Sequence, residues 1–461
     1  MSLEACSKPD EEILPYVRMP ENLVAGEPLR FATTLPLGGY GRGVVCISVD
    51  GRPIKIEGNA LHPASLGSTD AFAEASIFGL YDPDRSRTVL QSGSIASWDM
   101  FLKALLPRVE HYRANGGEGL RLLTGCISSP TLPRQIDLIL KQYPGARWHA
   151  HEPIGDESER AGATMAFGRP LQPLPQLSQA RAILSLDADF LGPGPCQIQN
   201  ARAWIEGRKP FSRDNTTSRL YVIESAPTIT GAKADHRLTL HPRLIHNAAI
   251  AIANALGAEL PAPDLPVAVE RFITAATQDL HAQHSRALIL GGRALMPEVH
   301  ALIHWINAEL EARIDFIEPA DMLFGPPEPL YGLAQDLAQG RVQDLILIGT
   351  NPVHTAPADL NFQEILKRSS FNIHIGTHVD ETASACHWHV PESHPLESWS
   401  DLQSLDGCTS LVQPLIRPLY DTRTAHELLA SFLGRPDATS YELVRETWAT
   451  TGIANLEDWW R

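Results

Sequence analysis

The chain has 461 residues, 43% hydrophobic and 20% charged, with a formal net charge of −16 and six cysteines. That length exceeds one ordinary domain, and the composition is that of a globular protein with several cores. The acidity excludes nucleic acid as a partner, because phosphate binding needs clustered Lys and Arg, and no run of about twenty apolar residues is present to span a membrane.

The opening residues, MSLEACSKPDEE, lack the apolar core of a secretory leader. From Gly43 to Asp70 the pattern is that of a β-hairpin. Val45, Ile47 and Val49 alternate with other residues up to the turn Asp50-Gly51-Arg52, and Ile54-Lys55-Ile56-Glu57-Gly58 returns. Period-two alternation across Asp-Gly is a strong hairpin signal.

From about Arg121 the theme becomes apolar strand, polar loop, amphipathic helix. Leu122-Leu123 leads into Thr124-Gly125-Cys126, with Ser129 as the expected N-cap, Pro130 in the first turn, and a helix to about Tyr143. Strands are expected at 182–187, 220–224, 287–292, 345–349 and 371–375. Helices are expected at 244–256, 267–284, 296–311 and 362–367. Short continuous Val/Ile/Leu runs alternating with helices predict parallel sheets covered on both faces.

In such sheets ligands sit beyond the carboxyl ends of the strands. Four loops qualify: 125–129, 187–192, Glu224-Ser225-Ala226-Pro227-Thr228, and Gly349-Thr350-Asn351-Pro352-Val353-His354. Each offers carboxylates, hydroxyls or free amides, and none is a GxGxxG or Walker loop. The cysteines (Cys6, Cys46, Cys126, Cys196, Cys386 and Cys408) are far apart, with no CxxC or finger spacing, and read as isolated thiols. The metal candidate is Cys386-His387-Trp388-His389 with His394, since imidazole and thiolate suit zinc or copper. Against it stands a packing role for the same residues. A hydrolase reading lacks a GxSxG elbow. Trp448, Trp459 and Trp460 are either a partner face or a cap on the last helix.

The hairpin resembles the small N-terminal iron–sulfur module of molybdopterin oxidoreductases, with Arg42 and Asp70 where cluster cysteines would align. Gly349-Thr350-Asn351-Pro352, the Glu224–Thr228 loop followed by Lys233-Ala234-Asp235, and Asp380-Glu381-Thr382-Ala383 with Val390-Pro391, Glu392 and Glu397 resemble that family's cofactor-binding blocks. Ile13–Arg18, Pro36–Tyr40, His62–Gly67, Leu80–Ser86, Leu184–Leu191 and Cys386–His389 resemble the molybdopterin-like part of the iron–sulfur subunit of alternative complex III, a quinol oxidoreductase. The resemblance implies a β-rich module at 1–80, an α/β domain from 81–149 and 281–461, and an inserted nucleotide-binding-like domain at 150–280. This is the formate dehydrogenase/DMSO reductase arrangement of a small module and two Rossmann-like domains, with its C-terminal β-barrel missing and the chain expected to be a fragment.

With the cluster ligands replaced and no counterpart of the molybdenum ligand, no cofactor is expected. The alternative is molybdopterin guanine dinucleotide held by vestigial residues Glu224, Ser225, Thr228, Gly349, Asn351, Pro352, His354, Glu381 and Thr382. The resemblance further implies iron–sulfur and haem subunits as partners and assembly at the periplasmic face of the cytoplasmic membrane.

Overall fold

The computed structural model describes residues 24–209, 217–319, 327–453 and 455–460. The Ile13–Arg18 phrase and Cys6 lie outside these residues. Three antiparallel strands, Pro28–Leu37, Tyr40–Val49 and Arg52–Gly58, form the N-terminal module. Val49 pairs with Arg52 across Asp50-Gly51, whose φ angles of 51° and 79° are those of the tight turn that Asp-Gly favours. The first strand was not foreseen. Its turn, Gly38-Gly39, is also left-handed at both positions, with φ of 56° and 82°. The helix Ala71–Leu80, capped by Asp70, covers the module through Ala73, Ile77 and Leu80.

The main sheet has eight strands. Its parallel centre runs Arg147–Ala150, Leu120–Thr124, Asp344–Ile348, Phe371–Gly376 and Trp388–Pro391. Leu120–Thr124 and Asp344–Ile348 are buried along their whole length, as expected of strands covered on both faces. One face packs Phe101, Leu105 and Val109 of the helix Trp98–Asn115 and Ile136 and Ile139 of the helix Thr131–Gln142. The other packs Leu330, Leu333 and Leu337 of the helix Leu330–Ala338. The helix begins at Thr131 with Pro130, not Ser129, as its N-cap residue, and Ser129 Oγ accepts the Leu132 N–H at 3.1 Å from one position earlier.

The smaller sheet is parallel in the order His236–Thr239, Arg219–Glu224, Ala182–Leu186, Ala287–Gly291. Its covering helices are Pro242–Ala255, Val267–Gln283 and Pro297–Glu309. The expected boundary at residue 280 is therefore misplaced. Ala287–Gly291 belongs to this sheet, and Ile314–Ile317 pairs with Gln172–Pro175 beside it. The apolar run at 287–291 reads the same in either sheet, so its partner was not legible locally. The C-terminal tryptophans pack on the body: Trp459 stacks on Trp448 at 4.8 Å, and Trp448 Nε1 donates to Asp401 at 2.9 Å.

Candidate functional site

The carboxyl ends of the main-sheet strands open onto two cavities that share the loop Gly125–Ile127. The larger, about 370 Å³, lies between this loop, the segment after Arg147–Ala150, and the N-terminal turn at Gly38 and Tyr40. Its charged lining is Glu152, Asp156, Glu157, Glu159 and Glu328 against Arg160 and Arg293. Tyr40 Oη donates to Asp156 at 3.3 Å. Burial, and then the neighbouring Asp156 charge, push the Glu159 carboxyl up to about 7. The smaller cavity, about 250 Å³, sits over the ends of Leu120–Thr124, Asp344–Ile348 and Trp388–Pro391. Sequence reasoning passed over the acidic segment at 152–159 and Arg293. The run HEPIGDESER directly after an apolar segment was the available signal.

The expected cofactor residues form two separate groups. In the first, Asn351 is the hub: its Nδ2 donates to Glu381 at 2.7 Å, and its Oδ1 accepts from Thr382 Oγ1 at 2.6 Å. Thr382 Oγ1 also accepts the Val353 N–H at 3.1 Å, beside Pro352, and His354 Nδ1 lies 3.9 Å from Glu381. Hydrogen bonding to Asn351 holds the Glu381 carboxyl below its usual range. In the second group, buried Glu224 accepts from Thr228 Oγ1 at 2.6 Å and pairs with Arg237. Ser225 donates to Asp187 at 2.9 Å. The two groups cap different sheets. Of the nine residues, only Gly349 lines either large cavity.

Arg42 and Asp70 form an ion pair inside the N-terminal module, with side chains 2% and 11% exposed. Asp70 also accepts the Ala73 N–H at 2.8 Å. Arg42 Nη2 donates to the carbonyls of Gly194 and Pro195, both at 3.2 Å, and so ties the hairpin to the smaller-sheet region. An iron–sulfur cluster needs four ligands, normally thiolates, and this guanidinium–carboxylate pair offers none at its two positions.

The structure does not bring the metal candidates together. Cys386 is buried in an apolar core beside Leu366 and Phe362. His387 Nδ1 accepts the Asn372 N–H at 3.1 Å, while His394 Nδ1 accepts the Leu396 N–H at 3.2 Å. His389 stacks on His374, Nδ1 to Nδ1 at 3.0 Å, and its Nε2 meets Ser86 Oγ at 2.6 Å. Burial pushes both rings down to about 4, so they are neutral. Among the described residues no group of three or more His, Cys, Asp or Glu converges on a metal position.

No protein-family model matches the chain. Its fold is that of acetylene hydratase from Pelobacter acetylenicus, with a TM-score of 0.66 at 11% identity over 93% of this chain and 73% of that one. Fold and sequence both resemble proteins of the molybdopterin-oxidoreductase superfamily. In sequence it is similar to the molybdopterin-binding-like subunit of menaquinone reductase from Nitratidesulfovibrio vulgaris, 24% identical over 447 residues. The match covers 86% of this chain and spans 63% of that subunit's length.

Proposed function

We propose that this chain is a structural subunit of a quinone-linked electron-transfer complex, one that uses the molybdopterin-oxidoreductase fold without a cluster or molybdenum of its own. The observation that carries this reading is the buried Arg42–Asp70 pair at the positions aligned with cluster cysteines. The charge of the larger cavity supports it. Molybdopterin guanine dinucleotide carries a pyrophosphate, and five carboxylates against two guanidinium groups make a poor cradle for an anion. The hydrogen-bonding atoms of Asn351, Thr382, Glu224 and Ser225 are also occupied by one another or by their neighbours.

The similarity to a menaquinone reductase subunit supports partners of the same kind, with iron–sulfur and haem proteins carrying the electrons. Among the described residues no helix is long and apolar enough to cross a membrane, which suits docking onto membrane subunits, as at the periplasmic face in an assembly like alternative complex III. A second reading, binding of molybdopterin guanine dinucleotide, is favoured by the intact Asn351–Thr382–Glu381 loop.

Molybdenum, tungsten, iron and zinc analysis of the purified chain, with fluorescence of oxidised pterin on the same sample, separates the two. Less than about 0.1 equivalent of each metal and of pterin is expected; stoichiometric pterin with molybdenum or tungsten would overturn the scaffold reading.

A further inference from the structure

The smaller cavity is lined by two residues whose polar side chains the fold leaves unused, Ser128 and Glu392. Ser128 is 2% exposed, and its Oγ has no hydrogen-bond partner among the described residues. Glu392 follows the strand Trp388–Pro391, and its backbone N–H is spent on Gly376 at 2.9 Å. The Glu392 side chain is half-buried, and among the described residues its carboxylate has neither a hydrogen bond nor an ion pair. Burial alone pushes this carboxyl up to about 7. Native folds rarely leave a buried group such as the Ser128 hydroxyl unserved, because desolvation without a partner is costly.

The other candidate partners nearby are occupied. His426 meets Ser400 at 2.9 Å through Nε2 and Gln135 at 2.8 Å through Nδ1. Arg423 pairs with Asp421 at 2.8 Å and lies over the Trp98 ring. The rest of the wall is largely apolar, including Ile348 and Leu402, with Trp399 supplying an aromatic ring. A carboxylate, a hydroxyl acceptor and an indole form an acceptor set for an ammonium, which brings three donors and is attracted to aromatic faces.

We propose that this cavity binds a small organic amine, its ammonium held by Glu392 and Ser128 and its hydrocarbon part against Ile348, Leu402 and Trp399. The volume fits the size. A dry cavity of about 150 Å³ accepts benzene, so about 250 Å³ leaves room for a ring and a short aminoalkyl arm. The proposal goes beyond the scaffold reading and stands independently of it.

The test is calorimetric titration of the purified chain with 2-phenylethylamine, 2-phenylethanol and phenylacetate. Saturable one-site binding of the amine is expected, at least tenfold tighter than the alcohol, with no binding of the carboxylate. Glu392→Gln should weaken the amine at least tenfold, and Ser128→Ala at least threefold, with circular dichroism unchanged. Ser128→Ala removes only an unpartnered hydroxyl, so it keeps the test decisive if Glu392→Gln fails to fold. No saturable amine binding up to 10 mM, equal binding of amine and alcohol, or unchanged affinity in a folded variant would overturn the proposal.

Discussion

Replacing Arg42 with Met keeps much of the stem and removes the charge. The ion pair to Asp70 is lost, together with the hydrogen bonds to the Gly194 and Pro195 carbonyls. With side chains only 2% and 11% exposed, water replaces little of this. Stranding one member of a buried pair costs about 3–5 kcal/mol. Asp70 keeps the Ala73 N–H, which places Arg42→Met near the lower end, about 3 kcal/mol. In the double variant with Asp70→Ser, the hydroxyl can still cap the helix Ala71–Leu80 and no carboxylate is stranded. About half the loss should return, leaving a deficit of about 1–2 kcal/mol. A protein of this size opens in parts, so the assay is native-state hydrogen exchange of the amides in Tyr40–Val49 and Arg52–Gly58. Salt should change the result little, because buried pairs are weakly screened. A loss below about 1 kcal/mol for Arg42→Met, or a double variant no more stable than the single one, would refute the view that this pair holds the module together.

Acid should destabilise the protein through its buried imidazoles. His304, His374, His389, His394 and His426 are each pushed down to about 4 by burial, from 6.5. Their folded values lie below the unfolded one, so their contribution is complete above 6.5 and is lost as pH falls toward 4. Urea midpoints should fall steadily from pH 7 to pH 5, and His389→Gln should flatten that slope. Glu159 and Glu392, raised to about 7, act oppositely: their unfolded carboxyls ionise first, so stability falls as pH rises from about 4.5 to 7. With five groups against two, the acid loss should dominate below 6.5. Arg85 and Glu397 form a fully buried pair at 2.7 Å, and Glu397 also accepts the His394 and Leu419 N–H groups, both at 2.9 Å. Glu397→Gln should cost about 3 kcal/mol in urea unfolding, whatever metals the chain does or does not carry. A Cβ on Gly58 would lie 2.3 Å from the Ser68 nitrogen, so Gly58→Ala should cost about 1–3 kcal/mol by the same assay.

What the sequence revealed and what it hid divide along a physical line. Strand interiors such as Leu345–Ile348 and Asp50-Gly51 at its turn carry their own local signal, an apolar run or a left-handed Asp-Gly pair, and the structure places both where that signal predicts. The assignment of Ala287–Gly291 to a sheet depends on which strand it meets across more than a hundred residues, and nothing in its five residues records that. The same holds for function. Gly349–Pro352 and Glu381-Thr382 were visible as motifs, and they do meet, through Asn351. What they do there is hold one another.

The groups left without partners, Ser128 and Glu392, come from segments some 260 residues apart and line one cavity because Leu120–Thr124 and Trp388–Pro391, which flank Asp344–Ile348 and Phe371–Gly376 in the sheet, end at the same edge. A motif inherited with a fold can persist because its residues hold a loop together, and Asn351 with Thr382 does that here. A half-buried carboxyl that lines a cavity and has no partner among the described residues has no such structural reason to persist. On that argument Glu392 is better evidence of a ligand than the more recognisable loop beside it, and amine titration of the Glu392→Gln protein tests it directly.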